Sequence, residues 1–324
     1  MKDVKTILSE LSAIVSPPSG EAKISEYIKE YVKGAIPNAG ISEDALGTLT
    51  VTLKGKSDRA VMLAASFDES VFVTNDADDK GRIRFASLGN LSPSAAAYTE
   101  AEFENGVRGT IVPLEKSDSL PDDPLKYGVD IGAANKEEAL SKVTPGVPFR
   151  PSSSLLVNGD FVTGPSVAAK AGVAALLETA ETLSGKEPVN TVLFTFASQG
   201  KVGARSAGPA AVGSSPSAAV SVVAVSEDGG RGISPGGGPV AVAISASSAV
   251  DPRVRDALGV PVAVTAPTRV PDDGAAAARF ISKGVPAGTL GIPARCVNTA
   301  RETVNVRDIE KAAEVLSEFA NGEF

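Results

Sequence analysis

Ala60-Val61-Met62-Leu63-Ala64-Ala65 runs directly into Ser66-Phe67-Asp68-Glu69, and this junction decides the fold. Six consecutive apolar residues leave no face for water, so the run reads as a strand buried on both sides, central to a sheet covered by helices. A second strand is expected at 49–53. Upstream, Val4, Ile7, Leu8, Leu11, Ile14 and Val15 fall at helical spacing until Ser16-Pro17-Pro18 stops them, and Ile24, Tyr27, Ile28, Tyr31 and Val32 trace another amphipathic helix.

Downstream of the junction the texture changes. From 70 to 160 the chain offers short β-type segments, at 71–74, 82–86, 106–112 and 127–131, broken by Gly, Pro, Asn and Asp. An all-β module inserted into an α/β domain is the economical reading. The α/β rhythm then resumes with an Ala-rich helix at 167–183, buried strands at 191–197 and 219–225, and further strands at 240–244, 261–265 and 287–292. A helix across 273–282, capped by Asp272-Asp273, and a C-terminal helix bearing Ile309, Ala312, Ala313, Leu316 and Phe319 complete the domain. The glycine-rich stretch 227–239 reads as a tight connection: Pro235 and Pro239 bar the helix whose N-terminus would cradle a phosphate.

Composition narrows the function classes. With 43% hydrophobic residues over 324 positions, the chain can bury a full core. A net charge of −8 with scattered Lys and Arg disfavours nucleic acid and anionic membranes as partners. The single cysteine, Cys296, excludes an intrachain disulfide and any multi-thiolate metal site and suits a cytoplasmic location. No apolar run approaches the roughly 20 residues of a membrane span, and no export signal is expected. The chain contains no histidine.

Several stretches together resemble the tetrahedral (TET) aminopeptidases, the glutamyl and deblocking aminopeptidase family of dinuclear metallopeptidases. Ser16-Pro17-Pro18-Ser19-Gly20-Glu21 is similar to its opening helix-loop-helix, and Asp44-Ala45-Leu46-Gly47-Thr48-Leu49 to its D-x-L-G-N-L strand entry. Ala64-Ala65-Ser66-Phe67-Asp68-Glu69 stands where the family has A-H-M-D-E, and the segment from Asp130 to Ala139 resembles its D-I-G-A-x-S-x-E-E-A element. Gly291 to Thr299 stands where the family reads I-P-x-R-Y-x-H-S, with Glu302 three residues on. The resemblance implies a mixed central sheet flanked by helices, zinc-aminopeptidase-like, built from 1–69 and 161–324. It also implies that 70–160 is a small β-barrel mediating dimerisation, with dimers building a dodecamer.

The family's two zinc or cobalt ions polarise a water for attack on an N-terminal peptide bond while a glutamate manages the proton. Carried over position by position, the first histidine falls on Ser66, although Asp68, matching the aspartate that orients it, is present. The bridging aspartate falls on Ala168, the glutamate base on Gly200, its neighbouring ligand on Lys201, the next aspartate on Ser226 and the last histidine on Asn298. Ala168 and Gly200 offer no ligand atom. At about 4 Å a lysine and a dication repel by roughly 8 kcal/mol at an effective dielectric of 20. No metal ligand, catalytic base or cofactor is therefore expected.

Three readings follow. The first is a catalytically inactive homologue kept for assembly or peptide binding, as a homo-oligomer or with an active paralogue. The second is an aminopeptidase with non-standard ligands. The third is a metal-independent hydrolase pairing Ser66, Ser198 or Ser226 with Lys170 or Lys201. Asp68 and Glu69, adjacent on a strand and so facing opposite ways, read as structural remnants rather than an acid–base pair.

Overall fold

The computed structural model describes residues 2–115, 118–152, 154–228, 232–244, 250–263 and 284–322. Helix α1 (Val4–Ala13) starts where the Asp3 carboxylate accepts the Thr6 N–H at 2.8 Å, and the Ser16 loop leads to α2 (Ala22–Ala35). Strands β1 (Gly40–Glu43), β2 (Leu49–Leu53) and β3 (Ala60–Ser66) follow. The chain then leaves the sheet for β4 (Val71–Ala77), β5 (Arg82–Leu88), β6 (Glu100–Phe103), β7 (Arg108–Pro113) and β8 (Tyr127–Asp130), helix α3 (Lys136–Lys142) and β9 (Pro148–Ser152). These six strands close into a barrel in the order β4-β5-β8-β7-β6-β9. Its interior is filled by Phe72, Phe85, Phe103 and Phe149, whose ring centroids lie 4.6–5.4 Å apart along the chain of contacts.

The remaining elements are β10 (Leu156–Asn158), β11 (Phe161–Gly164), α4 (Val167–Leu183), β12 (Thr191–Ala197), α5 (Ala207–Ser214), β13 (Ala218–Ser226), β14 (Val240–Val242), α6 (Pro252–Ala257), β15 (Val262–Ala263), β16 (Ala287–Arg295), β17 (Glu302–Asn305) and α7 (Val306–Ala320). The large sheet runs β1-β2-β12-β3-β13-β16-β17-β11-β10, with β14 and β15 added beside β16. Strands β12, β3, β13 and β16 are mutually parallel and the flanks antiparallel, so the sheet is mixed, as expected.

The strand quoted first shows why both faces are covered. Val61, Leu63 and Ala65 point into the core shared with α1, α2, α4 and α7, while Met62 and Ala64 point to the opposite face against Ala207 and Ala211 of α5. Helix α4 lies close on the sheet because Gly172 has no Cβ, which would stand 2.5 Å from the Val222 carbonyl.

Some elements differ from the sequence expectation. Strand β6 has four residues and β9 carries Pro148 and Pro151, so neither announces itself, and α5 contains two glycines and a proline that mask its helical period. Helix α3 hides inside the Asp130–Ala139 stretch, where Asn135 caps the Glu138 N–H at 3.0 Å. Pairing of β10 with β11 returns the chain to the large sheet after Ser152, earlier than the composition shift near 160 indicated. Asp272, Asp273 and the helix expected at 273–282 lie outside the described residues.

Barrel and sheet are joined by a buried ionic cluster. Glu69, in the β3–β4 crossover, accepts two bonds from the Arg150 guanidinium of β9, at 2.9 and 3.2 Å, and one from the Ser16 N–H at 2.8 Å. Arg150 also donates to the Ser12 carbonyl at the end of α1, at 2.7 Å. Lys170 of α4 donates to the Phe67 carbonyl at 2.9 Å and to Ser16 Oγ. Burial works against ionisation of Glu69, yet Arg150 and Lys170 hold its carboxyl below the usual range. Arg150→Ala strands this buried carboxylate and is expected to cost about 3–5 kcal/mol. Chemical denaturation measures it, and a loss no larger than that of an exposed ion pair would contradict the assignment.

Candidate functional site

In an open α/β sheet the carboxyl ends of parallel strands surround the crevice where ligands bind. Here β3 ends at Ser66, β12 leads through Ser198 to Gly200 and Lys201, β13 ends at Ser226, and β16 leads to Asn298. The first turn of α4 adds Ala168 from the side. A cleft of about 360 Å³ is lined by Ser66, Ala168, Lys201, Ser226 and Asn298 together with Glu302. Tertiary structure thus gathers five of the six singled-out positions, drawn from residues 66 to 298, into one concavity. Gly200 does not line the cleft but lies in the floor behind it, against the Ser66 hydroxyl.

Asp68 anchors that floor. It is fully buried, and its two oxygens accept the N–H groups of Gly200 at 3.0 Å and Lys201 at 2.9 Å. Burial pushes its carboxyl up to about 6, against the pull of Lys201. Gly200 must be a glycine in this arrangement, because a Cβ would overlap the Ser66 hydroxyl and stand 3.1 Å from Asp68 Oδ1. A glutamate there needs Ser66 to move first.

On the other wall Glu302 is buried and points both oxygens at backbone donors, Ala168 N–H at 2.9 Å and Asn298 N–H at 2.7 Å. Burial raises its pKa, and those two bonds oppose the rise. Glu302 therefore fastens the start of α4 to the loop after β16. The sequence reading noted it only as a motif match. Glu302 opens the short strand β17 between Arg301 and Thr303, so no apolar period marks it as buried.

Three rim residues hold left-handed backbones without being glycine: Ser166 at φ 57°, Gln199 at 55° and Asn298 at 63°. Such conformations cost on the order of 1–3 kcal/mol each and cluster where a scaffold over-determines its loops. Gln199 is further held by its N–H on the Glu21 carboxylate at 2.8 Å.

Other candidate side chains face away from the cleft. Lys170, pulled down to about 8 chiefly by burial and lifted again by Glu69, is spent on Ser16 and the Phe67 carbonyl. The Ser198 hydroxyl donates to the Leu46 carbonyl at 2.7 Å. Lys201 with Ser66 or Ser226 remains of the serine–lysine pairs. Glu69, engaged with Arg150, does not join Asp68 at the cleft.

A mixed sheet with this strand order, a closed barrel inserted after its central strand and a cleft above a buried aspartate define an aminopeptidase-type α/β protein. The chain belongs to the M42 glutamyl aminopeptidase family, whose model matches residues 47–315. It is 29% identical over 330 residues to a protein of Acetivibrio thermocellus named "Putative aminopeptidase", covering 98% of both chains. Among solved structures it is similar to an aminopeptidase from the archaeon Desulfurococcus kamchatkensis, with a TM-score of 0.90 at 20% identity over 98% of this chain and 94% of the other. It is also similar to the Pyrococcus horikoshii TET1 peptidase, with a TM-score of 0.85 at 23% identity over 99% and 100%.

The Asp68 pKa, raised from near 4 to about 6, means that the native state holds the proton more tightly than the unfolded chain. Stability from this group therefore falls as pH rises from about 4 to about 6 and is level above. Asp68→Asn removes the titration, so the variant's unfolding free energy minus that of the native chain is expected to grow by about 3 kcal/mol across that window. Denaturant titrations at a series of pH values measure this difference, and a constant difference would contradict it.

Proposed function

We propose that this chain is a catalytically inactive member of the M42 family, retained for assembly or for peptide binding. The observation that carries the reading is the donor set of the cleft. Where a dinuclear centre needs imidazole and carboxylate ligands, the five carried-over positions in the lining supply two alcohols, an amide, an alanine and an ammonium, and the rest of the lining adds alcohols, an amide and apolar groups. Its one carboxylate, Glu302, is engaged on both oxygens. Among the described residues no cluster of three His, Cys, Asp or Glu side chains can hold a metal ion. The zinc or cobalt pair does not fit these residues, and no catalytic step is routed through it. The base position, Gly200, carries no proton acceptor. Protein expressed without chelator is expected to contain only substoichiometric zinc, cobalt or manganese by elemental analysis and to release no N-terminal residues from peptides. Stoichiometric metal with robust peptidase activity would overturn the reading.

We further infer a homo-oligomer, dimer or dodecamer, built through the inserted module that the sequence placed at 70–160; assembly with an active paralogue is an alternative. Related structures are described as a dodecamer and as a peptidase that can form a tetrahedron or a large octahedral shell. Tyr98 and Leu125 leave 69% and 64% of their surface exposed on the barrel, an apolar supply for such a contact. No helix among the described residues is long and apolar enough to cross a membrane, and a cytoplasmic location is retained from the cysteine usage. Light scattering is expected to give a multiple of the chain mass. A monomer at micromolar concentration would contradict it.

A further inference from the structure

Resting on the reading of the cleft as metal-free, we infer that it holds a carboxylate on a short aliphatic residue, with the Lys201 ammonium as counter-ion: the C-terminal residue of a peptide or a small free branched acid.

The donors decide the charge of the guest. Lys201, Ser226 and Asn298 all line the cleft, and among the described residues their side chains make no hydrogen bond or ion pair. The two nearby carboxylates do not use the ammonium directly. Both oxygens of Asp68 are taken by backbone N–H groups, and so are both of Glu302. Three N–H donors on Lys201, an alcohol and an amide therefore converge on one concavity with no acceptor assigned to them. A partly buried ammonium left in this way favours an anion that supplies acceptors.

The wall decides the rest of the guest. Leu91, Val222, Ala224 and Val297 add apolar surface to the same lining. A volume of about 360 Å³ lies at the small end of ligand sites, enough for a carboxylate with a branched aliphatic group and not for a folded partner. The first turn of α4 borders the same space through Ala168 and Ala169, but its Ala168 N–H is already engaged by Glu302, so the charge selection rests on Lys201. Loss of the metals has thus inverted the recognition: a cleft that would grip an amine end and a carbonyl through dications now offers a single fixed cation.

Calorimetric titration of the full chain tests this with three probes: acetyl-Ala-Val as free acid, the same dipeptide as C-terminal amide, and isovalerate. The free acid is expected to bind roughly ten- to a hundredfold more tightly than the amide, the range of one charge-assisted hydrogen-bonded contact. Lys201→Gln, with an unchanged melting curve, is expected to lose the same factor, and Lys201→Arg to recover part of it. Binding of the dipeptide acid without isovalerate identifies a peptide terminus, and comparable binding of isovalerate identifies a free acid. Equal binding of acid and amide, no binding by either acid, or an affinity indifferent to Lys201→Gln would each overturn the inference. Elemental analysis of the same sample separates the two readings. Stoichiometric metal defeats the inactive assignment, whereas a metal-free sample that binds no acid defeats only the carboxylate.

Discussion

Everything around the cleft depends on one buried ion pair, Glu69 with Arg150. Two desolvated charges are costly unless their hydrogen bonds are met; here the Ser16 N–H and the Ser12 carbonyl add bonds to the pair and the Lys170 charge supports Glu69, while Arg150 Nε is left without a partner among the described residues. The cluster pins the barrel to the sheet at the crossover and sets where β3 ends. It thereby positions Asp68 one residue earlier, on the opposite side of the backbone. Asp68 and Glu69 lie beyond the end of β3, in the crossover and not on a strand as the sequence suggested, and their partners separate them: Glu69 takes Arg150 and the Ser16 N–H, Asp68 the N–H groups of Gly200 and Lys201.

That division leaves the scaffold of the cleft independent of the side chains at the carried-over positions that line it. The residues that shape the floor and rim are held from outside the cleft: Asp68 by two backbone donors, Gln199 by Glu21, the start of α4 by Glu302. None of these bonds requires an ion at the centre. The side chains of Ser66, Ala168, Ser226 and Asn298 take no part in these supporting bonds. Lys201 supplies positive charge to an environment that still contains Asp68 and Glu302, drawing both pKa values down against the effect of burial.

Positions 200 and 201 are coupled through the chain. Gly200 lets the backbone approach Asp68 closely enough for two successive N–H groups to reach its oxygens, and the next residue then carries its side chain into the cleft. The strained turn at Gln199, whose φ is 55°, makes that geometry possible. A side chain at 200 would meet Ser66.

Local pattern determined a great deal. The uninterrupted apolar run at 60–65, the alanine-rich period of α4 and the break into short polar-punctuated segments after 70 announce an interrupted α/β sheet, and the absence of histidine excludes any imidazole ligand. These are one-dimensional facts, because burial on both faces and helical period are written in neighbouring residues. Strands β6 and β9 and helix α5 were not legible, since prolines, glycines and brevity erase the period on which such reading relies. Only the tertiary structure decided that Arg150 pairs with Glu69 across 81 positions, that Lys170 turns to Ser16 instead of the cleft, and that Glu302 spends both oxygens on backbone donors. A charged residue in a sequence shows that a partner is needed once it is buried; which partner it finds depends on how the chain brings distant segments together.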